Sequence, residues 1–232
     1  MTPFFSVIIP LYNKENYIKD SINSVIKQSF SDFEVIIVND GSTDKSLIKA
    51  SQINDSRITI IYQKNSGAPI ARNNGISLAK SKYIALLDAD DYWHPNHLLE
   101  LKKLIEIFPT AGLFCNNYQV YYTSDVVRSA KFNFDFKKDC LVVDDFFKAS
   151  VTNCVAWTSG VAFTKEKFDA VGGFDSTLNA VEDLDLWVKL ALKYQVVFNP
   201  TITMSYKIFI GDSLSKREYN DIRYEFINNF SE

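Results

Sequence analysis

Four short runs of apolar and β-branched residues punctuate the first 110 residues: FSVII at 5–9, FEVIIV at 33–38, ITIIY at 58–62 and YIALL at 83–87. Continuous apolar runs of this length suit strands that are buried on both faces of a parallel sheet. A stretch with helical spacing follows each one. Residues 16–29 place Ile18, Ile22, Val25 and Ile26 on one helical face, and residues 44–52 read as a short helix. Residues 68–79 read as a third helix, with Ser66 as its cap and Pro69 in its first turn. Residues 95–108 turn Leu98, Leu101, Leu104, Ile105 and Phe108 inward, and Pro10 is expected to stop the first strand. Strand and helix alternating in this way call for right-handed crossovers. The expected fold is therefore α/β and Rossmann-like, a mostly parallel central sheet with helices on both faces.

The second half is less regular and is expected to form a smaller mixed part. Residues 113–122 read as a strand, 123–140 as a loop or hairpin with Phe132, Phe134 and Phe136 alternating, and 141–149 as a short helix. Residues 156–163 read as a strand, and 183–194 as a helix with Leu184, Val188 and Ala191 on its core side. Residues 217–230 could form one amphipathic helix. No repeat, linker or low-complexity tract divides the chain. The expected organisation is one domain over residues 1–232: a nucleotide-binding half at 1–110, an acceptor and catalytic half at 111–215, and a tail helix at 216–232.

Composition removes several classes of function. At 47% hydrophobic and 23% charged, the chain is neither disordered nor fibrous. A net charge of −3 leaves no global basic field for nucleic acid. Cys115, Cys140 and Cys154 are odd in number and far apart, so they read as buried thiols of a reducing compartment and not as a zinc site. The amino terminus lacks the pattern of a signal peptide, and no apolar run approaches the roughly 20 residues needed to span a bilayer. A cytoplasmic protein is expected.

Ligands of open α/β sheets bind outside the carboxyl ends of the strands. Polar residues gather at all four such ends. Pro10, Leu11, Tyr12 and Asn13 follow the first run, and Asn39, Asp40, Gly41, Ser42, Thr43 and Asp44 follow the second. Asn65, Ser66 and Gly67 follow the third and lead to Arg72, while Asp88, Ala89, Asp90 and Asp91 follow the fourth. Three carboxylates within four residues repel one another unless a cation intervenes, and hard divalent cations with oxygen ligands, Mg²⁺ or Mn²⁺, are the natural partners. There is neither a G-x-G-x-x-G loop nor a P-loop lysine. A metal would have to hold a diphosphate here, which argues against a dinucleotide oxidoreductase or a P-loop enzyme.

Five segments in order, SVIIPLYN, VIIVNDGSTD, NSGAPIARNNG, YIALLDADDYW and GGFDSTLNAVEDLDLWVKL, resemble glycosyltransferase family 2, the inverting nucleotide-sugar transferases of the GT-A fold. The resemblance covers about residues 4–215. It implies that Pro10 to Tyr12, Asn13 and Asp40 hold the nucleobase and ribose, together with Arg72. It implies that Asp88 and Asp90 are the D-x-D pair, Asp88 near the ribose or metal and Asp90 on the metal. The late ED pair matches Glu182 and Asp183, and Asp183 is similar to the general base that deprotonates the acceptor hydroxyl. A carboxylate at a helix start is favoured by the helix dipole. Glu182 would orient the acceptor, or exchange roles with Asp183. The implied donor is a nucleotide diphosphate sugar, most simply a UDP-sugar. The implied acceptor is a glycan or lipid-linked glycan of surface polysaccharide synthesis, a role that allows peripheral association with the inner membrane face.

One departure concerns the metal. Many family members carry a histidine just before the final S-L-S-like segment, whereas residues 206–215 here contain none. Water, Asp212 or nothing would fill that place. His94 and His97 are expected to dress the start of the following helix. Trp187 reads as core, while Trp157, with Gly160 just beyond it, is a candidate contact for the sugar or acceptor. A non-catalytic binder of sugar nucleotides or glycans is the alternative function. A nucleotidyltransferase is a weaker one, because PLYNK stands where its basic Gly-rich loop would be.

Overall fold

The computed structural model describes residues 2–208 apart from 138 and 179. The expected tail helix and Asp212 lie outside the described residues. Strand β1 (Phe5–Leu11), helix α1 (Ile18–Ile26), β2 (Phe33–Asp40), α2 (Ser46–Ser51), β3 (Ile58–Gln63), α3 (Ala68–Leu78) and β4 (Tyr83–Leu86) form the first half. A short strand β5 (Tyr92–Trp93) and helix α4 (His97–Ile107) follow, then β6 (Leu113–Tyr121) and β7 (Val127–Ser129). The rest comprises β8 (Leu141–Val142), α5 (Phe146–Ala149), a 3₁₀ turn (Thr158–Gly160), β9 (Val161–Thr164), α6 (Lys165–Ala170), α7 (Glu182–Lys193) and β10 (Val196–Lys207).

These strands make one sheet in the order β3-β2-β1-β4-β9-β6-β10-β5, with β7 on β6 and β8 on β10. Strands β3, β2, β1 and β4 run parallel, while β9 is antiparallel to both of its neighbours. The chain winds outward from β1 to β3 and then crosses back to place β4 on the other side of β1. That reversal makes the β1–β4 boundary the topological switch point, the place where ligands of open α/β sheets bind.

Alternate side chains of the sheet enter two cores. Val7, Ile9 and Leu11 pack with Ile18, Ile22 and Val25 of α1 and Leu98, Leu101 and Leu104 of α4. Ile8, Ile36 and Val38 pack with Ala71 and Ile76 of α3 and, further along, Leu186, Trp187 and Leu190 of α7. Each such fully buried aliphatic side chain contributes about 1.5–3 kcal/mol. Helix α3 lies flush against the sheet because Gly75 has no side chain: a Cβ there would stand 2.6 Å from Ile8 Cγ2 and 3.0 Å from Val38 Cγ2.

The structure departs from the sequence expectation at several points. β1 continues through Pro10 to Leu11. Its pairing with β4 ends at Ile8–Leu86, so on that side no partner calls for the amide hydrogen that proline lacks. Residues 196–207, which carry no element in the sequence reading, form β10 and pair with the full length of β6. Asn199-Pro200 lies within that strand, and register shifts on either side of Ile202 absorb the break. Residues 141–149 split into β8 and a one-turn helix, and the 156–163 stretch begins as a 3₁₀ turn before β9. On α7 the buried stripe is Leu186, Trp187, Val188 and Leu190, with Leu184 and Ala191 only half-buried. Phe132, Phe134 and Phe136 are not a strand; all three rings gather on Phe198, with centroids 5.1, 5.5 and 5.3 Å away. Cys115 is buried while Cys140 and Cys154 are half-buried, and all three are free thiols. Among the described residues, no helix is long and apolar enough to cross a membrane.

Candidate active site

The loops after β1, β2, β3 and β4 meet at one edge of the sheet and are tied to one another. Asn13 takes a left-handed φ of 51°, a conformation that asparagine tolerates. Its Oδ1 accepts from the Thr43 amide at 2.8 Å, and its own amide donates to Ser42 Oγ at 3.2 Å. Asp40, buried at the end of β2, accepts from the Ser66 amide (2.8 Å), Gln63 Nε2 (2.8 Å) and the Gly67 amide (2.9 Å). Both oxygens of Asp40 therefore organise the β3–α3 loop. Gly41 lets that loop close: at φ +70° its absent Cβ would stand 2.9 Å from the Asn65 nitrogen. Tyr12, at 45% exposure, leaves a ring open above this frame.

The acidic loop after β4 separates its three carboxylates. Asp88 Oδ1 pairs with Arg72 Nη2 at 2.7 Å, and Asp90 Oδ2 pairs with Lys14 Nζ at 2.7 Å. Asp91 turns inward, where it is buried and accepts from the Ser159 hydroxyl. Burial, followed by the charges of Asp90 and Asp88, holds the Asp91 carboxyl well above the usual carboxylate range. Ser159 Oγ also accepts from the Asp88 amide at 3.0 Å, so one hydroxyl fixes both ends of the loop. Asp88 and Asp90 stay partly accessible, with 30% and 16% of their side chains exposed.

Those two carboxylates suit a divalent cation in donor type, because both are hard oxygen ligands on an accessible loop. The Lys14 ammonium on Asp90 offsets one of the loop's negative charges. Among the described residues no group of three or more His, Cys, Asp or Glu is arranged to hold a metal, so the remaining ligands would be water or phosphate oxygens. The histidines turn away from the loop. His97 Nδ1 meets Thr203 Oγ1 at 2.8 Å and its ring stacks on Trp93 at 4.2 Å, while His94 Nε2 meets Ser205 Oγ at 2.9 Å. Burial pushes His97 down to about 3, which keeps it neutral.

Arg72 reaches from α3 to the acidic loop and to the start of α7. Besides Asp88 it binds Glu182 Oε1 through Nη1 at 2.8 Å, and its guanidinium lies 5.4 Å from the Phe174 ring centroid. It is buried, and the two carboxylates and its burial leave it no open face toward solvent. Glu182 is raised above its ordinary value by burial, which outweighs the opposing pull of Arg72. The next residue on α3, Asn73, holds the Gly172-Gly173-Phe174 turn: its Nδ2 donates to the Phe174 carbonyl at 2.8 Å, and its Oδ1 accepts from the Phe174 amide at 3.1 Å.

Helix α7 starts at a strained residue. Val181 takes φ 56°, a left-handed conformation unusual for a β-branched side chain. Asp183, in the first turn, accepts from Thr158 Oγ1 at 2.7 Å. Thr158 and Ser159 are thus adjacent residues whose hydroxyls fix Asp183 on one side and the acidic loop on the other.

Of the tentative sugar contacts, Trp157 is half-buried, its ring 4.5 Å from Tyr206 and 5.2 Å from Tyr118. Gly160 is buried beneath it, with the Asn116 carbonyl 3.2 Å from where a Cβ would stand. Lys14, Asn73, Thr158 and Ser159 touch the candidate site, and sequence reasoning gave them no role in it. Only Asn73 carried a signal, as the residue after Arg72 in the ARNNG segment.

A family model described as glycosyl transferase family 2 matches residues 6–166. The chain is 26% identical to an uncharacterized glycosyltransferase of Rickettsia prowazekii, over 97% of this chain and 72% of that protein. It is 30% identical to the hyaluronan synthase of Pasteurella multocida, over 82% of this chain but only 19% of the synthase. Among solved structures, S. aureus TarS 1–349 in complex with UDP-GlcNAc superposes with a TM-score of 0.75 at 21% identity, over 92% of this chain and 61% of that one. The fold is thus that of the GT-A glycosyltransferases, and the chain spans less than two thirds of the TarS fragment it matches.

Proposed function

The chain belongs to glycosyl transferase family 2, and from that premise we propose that it is an inverting glycosyltransferase acting on a nucleotide diphosphate sugar. The donor lies across the β1–β4 switch point, with its nucleobase over Tyr12 and its diphosphate toward Asp88 and Asp90. A UDP-sugar is the donor favoured, since TarS was solved with UDP-GlcNAc. Residues 1–110 serve the donor and 111–215 the acceptor within one domain. The acceptor is a glycan or lipid-linked glycan hydroxyl of surface polysaccharide synthesis, at the cytoplasmic face of the membrane.

The observation that carries the reading is the brace Asp183–Thr158–Ser159–Asp88, which ties a carboxylate at a helix start to the acidic loop. Asp183 takes the proton of the acceptor hydroxyl while that oxygen attacks the anomeric carbon. The bond from the anomeric carbon to the diphosphate oxygen breaks on the opposite side, so configuration inverts. A proton-accepting side chain in such a place is worth about 10²–10⁴-fold. Glu182, bound by Arg72, positions the loop and leaves Asp183 as the base. Asp90, with Asp88, would hold Mg²⁺ or Mn²⁺, which when bound supplies charge stabilisation to the leaving diphosphate.

The test is a thermal-shift titration with UDP, GDP, dTDP and CDP, each with and without Mn²⁺. One nucleotide is expected to stabilise the protein in a metal-dependent way, by about 2.7 kcal/mol at a hundredfold excess over its Kd. No shift with any nucleotide would overturn the donor site.

A further inference from the structure

The geometry points to a counter-ion exchange, and we propose that the Lys14 ammonium occupies the cation position on Asp90 until a nucleoside diphosphate arrives and then passes to the diphosphate. Metal and nucleotide would consequently enter as a pair. The inference rests on the reading of Asp90 as a metal carboxylate and adds a residue that the reading does not use.

Lys14 and Asp90 come from the two loops that flank the switch point, the first after β1 and the second after β4. Their side chains are only 17% and 16% exposed, and Nζ lies 2.7 Å from Oδ2. The base of Lys14 is fixed while its head is carried on a flexible stem. Its amide donates to Ser46 Oγ at 2.6 Å, and Asn13 before it is locked to the Thr43 amide at 2.8 Å. The Glu15 amide after it donates to Asp44 Oδ2 at 3.0 Å. Four rotatable side-chain bonds then let the ammonium change partner at the switch point without moving the backbone.

The charge balance explains why the swing would matter. Arg72 is shared between Asp88 and Glu182, whereas Lys14 sits on Asp90 alone, so it is at Asp90 that a bare divalent ion has to compete with a cation already in place. A metal placed on Asp90 would meet the lysine ammonium as a like charge a few ångströms away, in a partly buried setting where screening is weak. A diphosphate brings enough negative charge for both cations, and an ammonium is a good phosphate ligand. Lys14 would therefore oppose metal binding alone and favour metal binding with nucleotide.

The experiment titrates Mn²⁺, followed by electron paramagnetic resonance of the free ion, into wild type, Lys14→Met, Lys14→Arg and Asp90→Asn. Each is measured without nucleotide and with saturating UDP, after circular dichroism has shown the variant folded. Lys14→Met is expected to bind Mn²⁺ alone about tenfold more tightly than wild type, and Lys14→Arg to stay near wild type because it keeps the charge. UDP is expected to raise Mn²⁺ affinity more in wild type than in Lys14→Met. Unchanged or weaker Mn²⁺ binding by Lys14→Met overturns the exchange while leaving the metal reading standing. Wild-type Mn²⁺ affinity in Asp90→Asn, or no Mn²⁺ binding by any of the proteins, overturns the metal reading and the exchange with it. Should the methionine variant not fold, Lys14→Gln carries the same expectation.

Discussion

Replacing Asp183 by asparagine is expected to lower the transfer rate about 10²–10⁴-fold while nucleotide affinity stays near wild type. The geometry makes the variant informative. Asparagine keeps one oxygen that can accept from the Thr158 hydroxyl, now 2.7 Å from Asp183 Oδ2, and gives up the bond that Oδ1 takes from the Leu184 amide at 2.7 Å, so the tie to Thr158 should persist. What is lost is the negative oxygen that takes the acceptor's proton. Steady-state turnover beside a nucleotide titration separates the two effects. Retained turnover would move the base elsewhere, and Glu182 would then have to act from within its ion pair with Arg72. A large loss of nucleotide affinity instead would place Asp183 in the donor site.

Arg72→Met should give the largest loss of stability. The guanidinium is buried between Asp88 and Glu182, at 2.7 and 2.8 Å, so its removal leaves two carboxylates facing each other without compensation. Breaking a buried pair in this way costs about 3–5 kcal/mol. Asp88 is the more exposed partner, with 30% of its side chain accessible against 14% for Glu182, so most of the cost falls on Glu182. Urea unfolding measures it, and Arg72→Met combined with Glu182→Leu should recover part of the loss because the stranded charge is gone. A loss below about 1 kcal/mol would mean that both carboxylates escape to water and that the clamp does not hold the two loops together.

The first four strands were legible because their apolar runs are continuous and each ends in polar residues. β10 was not, because Asn199-Pro200 interrupts its run of strand-forming residues, and pairing with β6 keeps the strand going across the break. Pro10 misled in the same way: whether a proline ends a strand depends on whether a neighbour needs its amide, and β4, the neighbour on that side some seventy residues on, stops pairing at Ile8–Leu86. The acidic loop was legible as a cluster but not in its division of labour. Asp91 points inward to Ser159, 68 residues later, while Arg72 meets Glu182, 110 residues later. Local pattern carries no information about such partners. Lys14 is the clearest case, since nothing in PLYNKEN distinguishes it from a solvated surface lysine.

A single in-line displacement at the switch point fixes the anomeric outcome of transfer. Its most direct test is the anomeric configuration of the first product, followed by ¹H nuclear magnetic resonance on an α-linked nucleotide sugar before mutarotation proceeds. Inversion predicts that the newly released or transferred sugar is β. An α product would contradict the single displacement and, with it, the role assigned to Asp183.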